Sequence, residues 1–129
     1  MTPAPAQLLA VTAGGAAGAV LRHLVGETFP DGSGFPWTTF TINVVGSALL
    51  AGLLLLPLAR RSPPWRAALG PGLLGGFTTF SATSEEARVL LATGRSGLAV
   101  AYVLGSLAAC LLAVVLVGHL ARPAAEAER

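Results

Sequence analysis

Four apolar segments take up most of this chain, at residues 7–26, 38–58, 67–91 and 98–120. A helix needs about 20 mostly apolar residues to cross a bilayer, and each segment is of that order. Backbone in lipid must satisfy its own polar groups, which a helix does. The chain therefore reads as an all-α membrane protein: one domain over residues 1–129, four transmembrane helices, short joints. Charge points the same way. Charged side chains make up 11% of the residues, against about 25% in a soluble domain, too few to clothe a water-facing surface. No basic stretch precedes the first segment, which is long enough to stay in the bilayer, so it reads as a span and not as a cleavable signal.

Several function classes fall away at once. The net charge of +2 is carried by scattered arginines without a single lysine, so no basic stripe invites nucleic acid. A lone cysteine, Cys110, excludes an internal disulfide and a zinc knuckle. The two histidines sit at opposite ends of the chain, and no Ser/His/Asp set, carboxylate–histidine metal cluster or phosphate loop is present. The chain does not read as an enzyme.

The third segment is not uniformly apolar. It contains Gly75-Gly-Phe-Thr-Thr-Phe-Ser-Ala-Thr-Ser-Glu-Glu86, in which glycine and β-branched threonine both weaken a helix. The expected result is a third helix broken near its middle, between Gly75 and Ser81, with freed backbone groups that must find protein partners or line a wet cavity. Thr83 followed by Glu86 fits a capping box that would restart the helix, with Glu85 and Glu86 in its first turn.

The remaining polar groups are mostly donors. Thr38, Thr39, Thr41 and Asn43 stand in the first half of the second segment, and Tyr102, Ser106 and Cys110 recur every fourth residue on one face of the fourth. Asn43 suits either an interhelical hydrogen bond or a donor to a passing anion. Arg22, near the end of the first segment, either snorkels to the interface or attracts an anion. Donors with an arginine near the mouth suit a small anion, whereas a cation path would show carboxylates in mid-membrane. Phe77 and Phe80 offer positive ring edges. The run Gly14-Gly15-Ala16-Ala17-Gly18 is a small-residue face on which helices approach closely. Four short helices enclose a selective pore poorly alone, so an oligomer is expected, most simply a dimer.

With four spans, both termini lie on one side with Arg60, Arg61, Arg66, Arg122 and Arg129, while Arg95 marks the other side, with Arg22 and Arg88 nearby. The positive-inside rule then places the termini in the cytoplasm.

Four stretches match a known pattern: Gly14-Gly-Ala-Ala-Gly-Ala-Val-Leu-Arg22, Thr39-Phe-Thr-Ile-Asn43-Val-Val-Gly46, Gly75-Gly-Phe-Thr-Thr-Phe-Ser81 with Glu86, and Tyr102-Val-Leu-Gly-Ser106. In that order and spacing, the chain resembles the CrcB/Fluc family of fluoride channels along nearly its whole length. The resemblance implies an antiparallel, dual-topology dimer in the lipid of the plasma (cell inner) membrane, with two narrow pores that let fluoride out passively and so limit its toxicity. It implies a structural Na+ on the dimer axis, held by the backbone carbonyls of Gly75 and Thr78. It implies a pore lined by Asn43 and Phe80, with Thr39 on the anion path, and a polar track through Tyr102 and Ser106. Arg22 matches the vestibule arginine and Glu86 the family's glutamate.

Three positions depart from the family. A second pore phenylalanine is replaced by Thr83, a further track hydroxyl by Cys110, and a glycine before Thr39 by Thr38. Either the Thr83 hydroxyl donates to fluoride in place of a ring, or the chain is a partner subunit, non-conducting alone, whose paralogue supplies the ring in a heterodimer. The arginine bias fits the fixed orientation that a heterodimer needs. A proton-coupled transporter of the small multidrug resistance type is the remaining alternative. That family relies on a first-helix glutamate, and here no carboxylate precedes Glu27.

Overall fold

The computed structural model describes residues 4–53 and 55–127, and among these every regular element is a helix, with no strand. Helix α1 spans Pro5–Thr28 and α2 Trp37–Leu53. Two single-turn helices follow, α3 at Pro57–Arg61 and α4 at Pro63–Ala67. A π-helical segment, Ala68–Leu74, leads into the short α5 at Gly75–Phe77. Then come α6, Phe80–Ala92, and α7, Ser96–Ala127. The side chains of Arg122 and Arg129, which enter the charge bias, lie outside the described residues.

Helices α1 and α7 are each long and apolar enough to cross a membrane, and α2 is apolar but shorter. Helix α2 is described to Leu53, and Pro57 opens a new turn. Proline disfavours helical backbone in the residue before it, and Leu56 is accordingly extended, at φ −74° and ψ 122°. The basic stretch from Arg60 to Arg66 folds as parts of α3 and α4, each entered by proline at its first position.

The π-helical segment contains Pro71. A proline ring inside a helix clashes with the carbonyl four residues back. Widening the turn by one residue moves that carbonyl away, and π-bulges arise at such insertions.

Glycines set the closest contacts. A Cβ on Gly14 would stand 2.1 Å from the Ala68 carbonyl oxygen, and one on Gly18 at 2.1 Å from that of Leu73. From the opposite side, a Cβ on Gly76 would meet the Gly15 carbonyl oxygen at 2.4 Å. The small-residue face of α1 is therefore filled from within the chain, by the π-helical segment and α5. The face therefore gives no support to a dimer.

Helix α7 packs on α2 and α6, and a small core forms there from Ala87, Leu90, Ala99 and the fully buried Tyr102. Phe35 closes it, its ring edge-on to Tyr102 at 5.2 Å. Many other apolar side chains point outward, among them Leu104, Leu107, Leu111, Leu112 and Leu116 on α7. Apolar exposure of this extent suits lipid or a partner surface and not water.

Candidate functional site

The helical backbone stops between Phe77 and Phe80. Thr78 and Thr79 are both extended, at ψ 155° and φ −149°, ψ 119°. The side chain of Asn43 on α2 reaches into this gap. Its Oδ1 accepts the Thr79 N–H at 2.8 Å, and its Nδ2 donates to the Thr79 carbonyl at 3.0 Å. The amide thus pairs with one backbone residue as a neighbouring strand would. The second Nδ2 hydrogen goes to Thr83 Oγ1 at 3.0 Å, and Thr83 in turn donates to the Thr79 carbonyl at 3.1 Å. Both donors of Asn43 are taken.

Helix α6 restarts one turn earlier than the capping-box pattern predicts. Thr79 is its N-cap, its hydroxyl accepting the Ala82 N–H at 3.1 Å. Thr83 is buried inside the helix, and Glu86 does not close a box with it. The pattern misled because Asn43, from another segment, holds Thr79 in the extended conformation an N-cap requires. Glu85 instead pairs with Arg88, Oε1 to Nη2 at 2.6 Å, in an exposed ion pair.

Glu86 is engaged sideways. Its carboxylate accepts the Thr39 hydroxyl at 2.6 Å and also the Tyr102 hydroxyl. One side chain therefore ties α2, α6 and α7 together at the level of the buried core. Beside it opens a cavity of about 520 Å³ lined by Arg22, His23, Glu27, Asp31, Thr39 and Glu86 among others. Arg22 is anchored there by its Nε, which donates to the Gly76 carbonyl at 3.3 Å. The rim is set by Asp31, whose carboxylate accepts the Thr38 N–H at 2.9 Å and so caps α2.

A second cavity, of about 580 Å³, lies on the other side of the break. Asn43, Ser47, Phe80, Thr83, Ser106 and Cys110 are among its walls. The Phe80 ring stands outward, 83% exposed, while Thr83 is 7% exposed. Ser106 is buried, yet its hydroxyl has no partner among the described residues. Tyr102, one turn earlier on the same helix, turns into the core instead and shares neither cavity. The sequence reading overlooked Ser47, although it lies one turn after Asn43 on the same face of α2.

The break also leaves carbonyls without their helical donors. The donor due to Gly75 is the Thr79 N–H, which Asn43 has taken, and that due to Thr78 is the Ala82 N–H, which the Thr79 hydroxyl has taken. Gly75 is exposed and Thr78 half-buried. Neutral oxygen donors at a helix C-terminus suit a small hard cation such as Na+.

The comparisons with known proteins agree with one another. The family pattern described as "CrcB-like protein, Camphor Resistance (CrcB)" matches residues 9–119. The chain is 46% identical over 122 residues to "Fluoride-specific ion channel FluC" of Chelativorans sp. (strain BNC1), a match covering 89% of this chain and 95% of the relative. It is 41% identical over 132 residues to "Fluoride-specific ion channel FluC 2" of Nocardia farcinica (strain IFM 10152), covering 97% and 91%. To "Fluoride-specific ion channel FluC 1" of Desulfitobacterium hafniense (strain Y51) it is 48% identical over 92 residues, covering 70% and 81%.

Proposed function

This chain belongs to the CrcB-like family, and we propose on that footing that it is a fluoride-specific channel subunit of the plasma membrane that lets fluoride leave the cytoplasm down its gradient. The family supplies the identity of the ion. The single structural observation that supports a route is Ser106, a buried hydroxyl with no partner among the described residues, at the wall of a cavity beside the helix break. Fluoride is a compact, strongly accepting anion, and a hydroxyl in an apolar wall is the donor that replaces part of its hydration.

In this reading four spans cross the bilayer, as α1, α2, the composite of α4 to α6, and α7. Two chains pair antiparallel, with the exposed Phe80 and Gly75 turned toward the partner. The free carbonyls of Gly75 and Thr78 would hold a structural Na+ between the chains. Phe80, Asn43, Thr83 and Ser106 belong to the pore wall, Thr39 and Tyr102 support it through Glu86, and Arg22 with Glu86 belongs to the vestibule.

A second reading, a subunit that conducts only with a paralogue, is favoured by one observation. The Thr83 hydroxyl occupies the Asn43 hydrogen that would otherwise face the cavity. Fluoride efflux from liposomes holding only this chain, in sodium, separates the two. Rapid efflux with little chloride leakage supports the self-sufficient channel. Folded protein without efflux overturns it, and efflux restored by a paralogue then establishes the pair.

A further inference from the structure

Hydroxyls in apolar helices ordinarily satisfy themselves by donating to the carbonyl four residues back. Among the described residues Thr12, Thr28, Thr78, Thr83, Ser84 and Thr93 do so. Two that face the larger cavity do not. Ser106 on α7 is buried with an unpartnered Oγ. Ser47 on α2 lines the same cavity, and its hydroxyl takes part in no hydrogen bond among the described residues. A polar group withheld from the backbone in apolar surroundings is costly unless something else accepts from it.

The two helices run parallel. Phe35, just before α2, meets Tyr102 at one end, and Gly52 faces Val117 at the other, where an added Cβ would lie 3.7 Å from its Cγ1. That register places Ser47 beyond Ser106, near the level of Cys110, which also lines the cavity. Cys110 stands one turn after Ser106, and a thiol is a weak donor. Asn43 and Thr83, nearer the break, have their donors engaged with the protein.

We propose that Ser47 is an anion-contacting residue of this channel: its hydroxyl, with that of Ser106, receives fluoride in the cavity and takes over from α2 the donor place that Cys110 does not fill on α7. The inference rests on the channel reading above and adds a residue to it.

The test is fluoride efflux from liposomes, measured with an electrode, for the wild type and for Ser47→Ala, Ser47→Thr, Ser106→Ala and Thr12→Ala. A hydrogen bond to a charged group contributes about 1.5–3 kcal/mol, which corresponds to roughly ten- to a hundredfold in rate. Ser47→Ala is expected to lose flux on that scale, as is Ser106→Ala, while each keeps the wild-type elution volume. Ser47→Thr, which retains the hydroxyl, recovers flux to within about threefold of wild type, a rescue that a purely packing role would not give. Thr12→Ala, on α1 and away from the cavity, leaves flux unchanged. Wild-type efflux with Ser47→Ala equally fast overturns this inference alone. A wild type without efflux overturns the self-sufficient channel on which this assignment rests, and the assignment with it.

Discussion

The side-chain amide of Asn43 pairs with both backbone groups of Thr79, accepting its N–H at 2.8 Å and donating to its carbonyl at 3.0 Å. One residue of α2 thereby fixes the conformation of the gap between α5 and α6. The pairing also removes the donor that would otherwise reach the Gly75 carbonyl. Asn43 is in this sense a positioning residue for the break, whatever it contributes to the anion.

Replacing Asn43 by Ala should therefore act on sodium as well as on flux. The Thr79 N–H would lose its acceptor in a buried site, while its carbonyl keeps the Thr83 hydroxyl, at a cost of about 1–3 kcal/mol in stability. Its N–H would turn back to Gly75, and the sodium needed for half-maximal flux should rise about tenfold, the equivalent of 1.4 kcal/mol. Asn43→Asp keeps the acceptor for the Thr79 N–H and should retain more of the sodium response. Equal sodium dependence in wild type and Asn43→Ala would separate this side chain from the cation site.

The long apolar helices are legible in the sequence because their signal is local: α1 and α7 carry it in composition and length alone. The junction at Thr79 is not legible in the same way. Thr83 and Glu86 have the spacing of a capping box, and only the arrival of Asn43 from another helix makes Thr79 the cap instead. Glu86 escapes the pattern for the same reason, since Thr39 and Tyr102 converge on it from α2 and α7. The Gly14–Gly18 face announces a close approach, but not that its partner is the π-helical segment of the same chain. Long-range pairing of polar side chains has no periodicity to read.

Thr83→Val is nearly the same shape but lacks the hydroxyl, so one Asn43 hydrogen loses its acceptor. A loss of about 1 kcal/mol in stability is expected. The freed hydrogen then faces the cavity, so flux per folded protein should hold or rise. Flux that falls as far as in Asn43→Ala would instead make the Thr83 hydroxyl a direct donor to fluoride.

Glycine positions on α1 should differ sharply. At Gly18 an added Cβ lies 2.1 Å from a backbone oxygen, whereas at Gly15 the nearest atom is at 4.0 Å. Backbone cannot step aside as a side chain does, so Gly18→Ala must force α1 away from the π-helical segment. Overpacking of this kind costs about 1–3 kcal/mol or more. Thermal unfolding in detergent should show Gly18→Ala clearly destabilised and Gly15→Ala near wild type. Equal midpoints would mean that α1 does not seat on the π-helical segment as described.

Sodium removal tests the carbonyls at the break directly. Backbone oxygens offer no charge, and the cation they would hold is bound only while α5 ends where it does. Exchanging sodium for a bulky organic cation on both sides should abolish flux and lower the unfolding temperature, because a ligand bound only to the folded state stabilises it by mass action. Unchanged flux and stability after the exchange would leave the Gly75 and Thr78 carbonyls with a purely structural account.

The last prediction concerns the Glu86 junction, where Thr39 and Tyr102 donate to one carboxylate from different helices. Tyr102→Phe keeps the buried ring against Phe35 and removes only the hydroxyl; Thr39→Val removes the other donor. Each loss leaves Glu86 with one partner, at a cost on the order of 1.5–3 kcal/mol for a hydrogen bond to a charged group. The two effects should not add. With both donors gone, the carboxylate has no reason to stay between the helices and can turn into the adjoining cavity of about 520 Å³ toward water. The double variant should therefore be less destabilised than the sum of the singles, by about 0.5 kcal/mol or more, as expected for residues sharing one partner. Strict additivity in a double-mutant cycle, read by unfolding in detergent, would show that Thr39 and Tyr102 stabilise the bundle independently and that Glu86 is not their common anchor.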